Sequence, residues 1–234
     1  MKVSLVIPCY NESKSLPELL KSCQNAFQGK DIEVVIVDNG STDNTQEVIT
    51  NLLKKYPFVT LVRVENNIGY GNGILQGLRS ASGEILGWTH ADLQTDPNDV
   101  NRGLVFFEKA KDPKKIFIKG KRYGRSFFDV FFTVGMALFE SLLMQTRMWD
   151  INAQPTLFHK SFFSTWVEPP HDFSLDLFAY FMAKKKGLIV SRFSVLFSDR
   201  VHGVSSWNIS WSDKYKFIKR TLQYSFLLNK KIKK

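Results

Sequence analysis

The chain has 234 residues, enough for one large domain or for one domain with an appendage, and enough to bury a core without disulfide staples. Hydrophobic residues make up 44% and charged residues 23%, an ordinary globular composition that argues against disorder, and two cysteines, Cys9 and Cys23, are too few for a disulfide scaffold. The net charge of +10 is lopsided: residues 184–234 hold 13 Lys/Arg against 2 Asp/Glu, and residues 109–125 hold eight Lys/Arg against Asp112 alone. One reading is a solvated basic face. The other is a polyanionic partner, an anionic membrane or a nucleic acid.

Reduced cysteines and a cytosolic location are the default expectation. No stretch reaches the roughly 18 uncharged apolar residues of a membrane span. The most apolar one, residues 127–144, is broken by Asp129 and Glu140. The N-terminal residues read as a strand that starts the fold, not as a signal peptide.

Residues 3–7 are a short apolar run ending at Pro8, the pattern of a buried strand. A helical pattern over 18–27 follows, then a β-branched run at 33–37 closed by a turn-rich segment at 38–45. Ser41 or Thr42 is the candidate cap of a helix over 46–55. Residues 59–64 predict a third strand, 74–82 a helix, 84–89 a fourth strand and 98–110 a further helix. Strands and helices alternating at this spacing predict an α/β fold with a mostly parallel central sheet covered by helices on both faces. Beyond residue 115 the character changes, and 16 of the 20 phenylalanines lie there among Lys and Arg. Strands are expected at 116–119 and 188–197, a helix over 127–148, and a basic amphipathic helix over 213–229 capped by Ser212.

A parallel sheet binds ligands at the carboxyl ends of its strands. Four polar clusters fall there: Tyr10-Asn11-Glu12, Asp38 to Asp43, Asn67 to Gly73, and His90 to Asp96. Asp38 at a strand end suits hydrogen bonds from a base or ribose, with Gly40 permitting a tight turn, although an ordinary capped turn has the same residues. The glycine-rich segment offers backbone amides to a phosphate, but it is neither a dinucleotide fingerprint nor a P-loop. Asp92 and Gln94, alternating on an extended chain, offer oxygens to a hard cation such as Mg²⁺ or Mn²⁺.

Taken together and in this order, the segments PCYNE, VDNGSTDNT, NNIGYGNG and HADLQ resemble glycosyltransferase family 2. ADLQTDP is most similar to the branch holding dolichyl-phosphate mannose and glucose synthases and bacterial polyprenyl-phosphate sugar transferases. The resemblance implies the GT-A fold, a three-layer sandwich, over residues 1–211, with 212–234 as a basic tail. It implies that Pro8, Tyr10, Glu12, Asp38, Gly40, Asn67, Gly71, Ala91 and Asp92 bind the nucleotide-sugar. It places Mg²⁺ or Mn²⁺ on Asp92 and Gln94. His90 stands where the family has the first Asp of its Asp-x-Asp, so its part in metal binding is open. Lys121, Arg122, Arg200 and Ser205 are implied to hold phosphates of donor or acceptor. Asp150 falls on the acceptor side, followed by Asn152-Ala153-Gln154 where the family has Ser-Gly-Phe, and Ser206 replaces a Lys.

The implied reaction is an inverting transfer from GDP-mannose or a UDP-hexose to a polyprenyl or dolichyl phosphate, with Asp92 and Asp150 as catalytic residues. A phosphate acceptor is already anionic. A hydroxyl of a growing surface glycan, the alternative acceptor, needs a base, and Asp150 is the candidate. A lipid acceptor implies peripheral attachment to the cytoplasmic face of an anionic membrane through the C-terminal helix or helix 127–148, the latter being equally suited to core or dimer packing. A nucleic-acid binder using the basic blocks is a remote alternative with no recognised motif. A nucleotidyltransferase would have a glycine-rich loop where residues 8–14 read PCYNESK.

Overall fold

The computed structural model describes residues 1–200 and 211–232, with side chains described to 200 and over 219–230. Strand β1 (Val3–Cys9) leads to helix α1 (Leu16–Phe27), β2 (Ile32–Asn39), α2 (Thr45–Leu53), β3 (Val59–Val64), α3 (Tyr70–Ser80), β4 (Ile85–Trp88) and α4 (Asn98–Glu108). The second half comprises β5 (Ile116–Tyr123), α5 (Phe127–Leu143), β6 (Thr156–His159), α6 (Lys160–Phe163), α7 (Leu175–Lys185), β7 (Ile189–Leu196) and α8 (Trp211–Ile232).

The seven strands form one sheet in the order β3-β2-β1-β4-β6-β5-β7. All run parallel except β6, which is antiparallel to β4 and β5. Strand alternation divides the core in two. Leu5, Ile7, Val34, Ile36 and Ile118 face α1, α2 and α4. Val6, Val35, Val37 and Phe117 face α3 and α7. The result is the expected three-layer sandwich, buried on both faces.

The structure departs from the sequence reading in four places. Helix α3 begins at Tyr70 rather than 74, so Gly71 and Gly73 lie inside its first turn and not in a loop. Helix α5 ends at Leu143 rather than 148. Strand β6 and helices α6 and α7 were not expected at all. β6 has only four residues, and α7 is buried nearly all round, leaving little amphipathic period to read. Ser41 and Thr42 also do not cap α2, whose cap position is Asn44.

Candidate active site

The carboxyl ends of β1, β2 and β4 lie side by side, with Cys9 paired to Asp38 across β1 and β2. Asn11 ties the first two loops together. Its Oδ1 accepts from the Thr42 amide at 2.8 Å, its Nδ2 donates to Thr42 Oγ1 at 3.2 Å, and its own amide donates to Ser41 Oγ at 3.0 Å. Asn11 sits at φ 57°, a left-handed conformation that Asn tolerates better than most residues. This clasp fixes the backbone between Tyr10 and Glu12. Asp38 is buried and accepts from the Ser41 amide at 3.0 Å. Tyr10 is exposed and Pro8 is half-buried.

Gly40 takes φ +75°, and a Cβ there would meet the Asn67 amide at 2.6 Å. Asn39 completes this junction, with Nδ2 donating to the Gly69 carbonyl at 3.0 Å and to Asn67 Oδ1 at 3.3 Å. Gly71, expected among the nucleotide-sugar contacts, lies at a close backbone approach. A Cβ there would meet the Asp172 and Pro170 carbonyls at 2.6 and 2.7 Å. The neighbouring Asn72 amide donates to His171 at 2.8 Å. The glycine-rich segment therefore packs α3 against the 170–172 loop.

Asp92 is 5% exposed, and its Oδ1 accepts from the Gln94 amide at 3.2 Å. Leu93 between them takes φ 61°, so this segment turns instead of running extended. The Gln94 side chain donates from Nε2 to the Ser198 carbonyl at 3.0 Å. Ala91 is buried beside them. Arg200 bridges the carboxylates, 2.8 Å from Asp92 Oδ2 and 3.4 Å from Glu12 Oε1. Burial pushes the Glu12 carboxyl up, with Ser15 and Arg200 opposing. His90 stacks on Tyr70, which stacks on Phe173 with centroids 4.8 Å apart. Burial holds the His90 imidazole below its ordinary value, against the pull of Asp92 and Asp176.

Behind this row, Arg122 meets Asp150. The Arg122 amide reaches Asp150 Oδ2 at 2.8 Å, and its Nε reaches Oδ1 at 2.9 Å. Arg125 stands 3.7 Å from the same Oδ1. Asp150 is 1% exposed. Burial pushes its carboxyl up, but Arg122 and Arg125 outweigh that and hold it below the usual carboxylate range. A proton acceptor needs the opposite shift. Lys121 is exposed on the outer part of β5, and Ser205 lies outside the described residues.

Five of these groups, His90, Gln94, Arg122, Arg125 and Arg200, line a cavity of about 680 Å³. His90, Gln94 and Arg200 line one part, with Arg122 and Arg125 also on its wall. Thr133, Met136, Ala137 and Glu140 of α5 and Thr221 of α8 line another part. Asp176 also lines it, and sequence reasoning missed it. Its Oδ1 accepts from Lys119 Nζ at 3.1 Å and from Gln154 Nε2 at 2.9 Å. Lys119 is fully buried and also donates to Thr156 Oγ1 at 2.9 Å. Burial pulls the Lys119 ammonium down, with Asp176 opposing. A carboxylate inside the apolar run of α7 is a local signal for Asp176; Lys119, 57 residues away, has none.

Among the described residues, no three His, Cys, Asp or Glu side chains converge to hold a metal ion. Asp92 supplies a single carboxylate. That donor set suits a hard cation only when a substrate diphosphate completes the shell.

The carboxyl ends of the strands thus bring carboxylates and arginines together, with Arg200 on Asp92 and Glu12 and Arg122 on Asp150. Residues 4–166 match the model of glycosyl transferase family 2, and the chain belongs to that family. A dolichol-phosphate mannosyltransferase of Pyrococcus furiosus is 38% identical over 53% of this chain and 34% of its own length. An undecaprenyl-phosphate 4-deoxy-4-formamido-L-arabinose transferase of Enterobacter is 36% identical over 47% of this chain and 35% of its own. These matches thus take in about a third of the curated relatives. Among solved structures, glucosyl-3-phosphoglycerate synthase of Mycobacterium tuberculosis, in complex with Mn²⁺ and UDP, superposes with a TM-score of 0.74 at 14% identity, over 97% of this chain and 79% of that one. A mannosyltransferase of Pyrobaculum calidifontis, in complex with GDP-Man and Mn²⁺, gives 0.66 at 20% identity, over 93% and 64%. The fold is GT-A.

Proposed function

We propose that this chain transfers a sugar from a nucleoside-diphosphate sugar, GDP-mannose or a UDP-hexose, to a polyprenyl phosphate at a membrane surface. The observation that carries the acceptor is α5. Its inner face lines the cavity, while Phe127, Phe128, Phe131, Leu138 and Leu142 stand exposed on its outer face, Phe128 at 81%. A surface of this kind on a water-soluble fold favours an apolar partner. Both curated relatives bear names of polyprenyl-phosphate enzymes.

The nucleoside lies against Pro8, Tyr10, Glu12 and Asp38 in this reading, with Asn67 and Ala91 flanking. A divalent cation, Mg²⁺ or Mn²⁺, would be held by Asp92 with Gln94 or His90 near it, and would supply positive charge to the leaving diphosphate. Arg200, which meets Asp92 and Glu12, would also hold phosphate oxygens of the donor. Arg122 and Arg125 hold the acceptor phosphate. One of its oxygens attacks the anomeric carbon in line, and the bond from that carbon to the diphosphate oxygen breaks with inversion. The attacking oxygen is already anionic, so no general base is required. Asp150 then serves as the counter-charge that positions Arg122, which suits its depressed pKa. Asp176, pinned by Lys119 and Gln154, is placed to accept hydrogen bonds from the substrate.

A thermal-shift panel of UDP-, GDP- and dTDP-sugars with and without Mn²⁺ tests the donor. A ligand at 100 times its dissociation constant stabilises by about 2.7 kcal/mol, so one nucleotide is expected to raise the melting temperature in a metal-dependent manner. A flat panel refutes the donor assignment.

No helix among the described residues is long and apolar enough to cross a membrane. Attachment is peripheral in this reading, at the cytoplasmic face, through α5 and the basic residues of α8. Changing Phe127, Phe128 and Phe131 together to Ser is expected to weaken sedimentation with anionic vesicles at least about tenfold, because each buried aromatic contributes ~1.5–3 kcal/mol. The melting temperature should hold, since all three are exposed. Unchanged sedimentation would remove α5 from the membrane contact.

A further inference from the structure

We propose that Glu140 is a specificity residue that accepts a hydrogen bond from a hydroxyl of the substrate pair held in the cavity. This rests on the glycosyl-transfer reading above. Glu140 lies on the inner face of α5, is 1% exposed, and lines the same cavity as His90, Arg122 and Arg200. Its immediate wall along the helix is Met136, Ala137 and Thr133. The Oε1 atom faces Ser225 Oγ of α8 at 2.6 Å, whereas Oε2 has no hydrogen-bond partner.

Ser225 is an incomplete partner. Its hydroxyl has one proton and lies within reach of two acceptors, Glu140 and the Thr221 carbonyl at 2.8 Å. Burial pushes the Glu140 carboxyl up to about 7, and only the Ser225 contact opposes it among the described groups. None of the charged groups on the cavity wall, Arg122, Arg125, Asp129, Asp176, Asp199 and Arg200, compensates it. A carboxyl in this position destabilises the fold relative to Met or Leu, which fill the same space with no unpaired oxygen. A polar group held against stability at the wall of a ligand cavity is explained when the ligand completes it. The matching chemistry is a hydroxyl, found on every transferred hexose and on a glycan or glyceric-acid acceptor, but absent from a polyprenyl phosphate.

The test compares Glu140→Met and Glu140→Gln with the wild type. Donors are GDP-mannose and UDP-glucose, and acceptors are farnesyl phosphate, which has no hydroxyl, and phosphoglyceric acid, which has one. At pH 8, where a carboxyl pushed up to about 7 is mostly ionised, a hydrogen bond to it contributes about 1.5–3 kcal/mol, so E140M is expected to raise one KM about 10- to 100-fold, with kcat changed less. E140Q, which keeps a carbonyl oxygen, should fall between E140M and the wild type. E140M should also melt at or above the wild-type temperature. A donor KM effect with farnesyl phosphate assigns the hydroxyl to the sugar. An effect on the phosphoglyceric acid KM alone assigns it to the acceptor. Unchanged KM values for all four ligands overturn the proposal, as does a lower melting temperature with KM untouched, which marks a structural role. A wild type that transfers to neither acceptor from either donor overturns the parent reading and this proposal with it.

Discussion

Asp92→Ala is expected to lower sugar transfer about a thousandfold or more while leaving the fold in place, because in the proposed mechanism it removes the carboxylate that would organise positive charge at the leaving diphosphate. The structure explains why the fold should survive. Asp92 makes few structural contacts: its Oδ1 caps the turn to Gln94 and its Oδ2 meets Arg200. Arg200 is 24% exposed in its side chain and retains Glu12 as a partner, so no buried charge is stranded. Asp92→Asn should behave similarly in turnover, since it keeps the shape and loses the charge. Circular dichroism and a melting curve within a few degrees of wild type would accompany the lost activity. Turnover near wild type in either variant would remove the metal and leaving-group role from this residue.

The second large effect belongs to Asp150. Its carboxylate is the shared counter-ion of Arg122 and Arg125, and it is 1% exposed. Removing one partner of a buried ion pair leaves the other charged and uncompensated, at a cost of about 3–5 kcal/mol. Asp150→Ala is therefore expected to destabilise by that order and to raise the acceptor KM, because both arginines lose their fixed position. Asp150→Asn keeps an acceptor for the Arg122 amide and should destabilise less. The pH dependence has a definite sign. The folded pKa of Asp150 is lowered, so its stabilisation is fully present above the ordinary carboxylate range near 4 and is lost as pH falls below it. The stability gap between wild type and D150N in urea titrations should thus be constant from pH 5 to 8 and shrink below about pH 4. A gap that instead grows on acidification would contradict the ion-pair assignment. A kcat loss without any KM change would make Asp150 a direct participant and not an anchor.

The first half of the fold was legible because its signals are local. Each buried strand is a β-branched run, each strand end carries a polar cluster, and the parallel order brings those ends together. Pro8, Glu12, Asp38, Ala91 and Asp92 could be placed at one edge of the sheet from spacing alone. The second half was harder. β6 is short and antiparallel, and α7 is buried nearly all round, so neither shows the period that an exposed face creates. Gly71 and Gly73 read as a loop because glycine is a poor helix former; packing explains them instead, the 170–172 backbone crowding Gly71 and the Asn39 side chain crowding Gly73. The left-handed Leu93 was equally invisible, as was the bond from the Gln94 side chain to Ser198. Most of all, the partners of site residues lie far apart in sequence. Arg122 and Asp150 are 28 residues apart, Lys119 and Asp176 are 57, and Glu140 and Ser225 are 85. Each pair exists only because the sheet and its helices bring the two together.

The most direct measurement incubates the chain with GDP-mannose or UDP-glucose, Mn²⁺ and farnesyl phosphate, and weighs the lipid product by mass spectrometry. A farnesyl phosphate heavier by one hexose, formed by the wild type and lost in Asp92→Ala, is the expected result. Intact farnesyl phosphate with both donors, or a product that Asp92→Ala forms equally well, would contradict transfer to a lipid phosphate at this site.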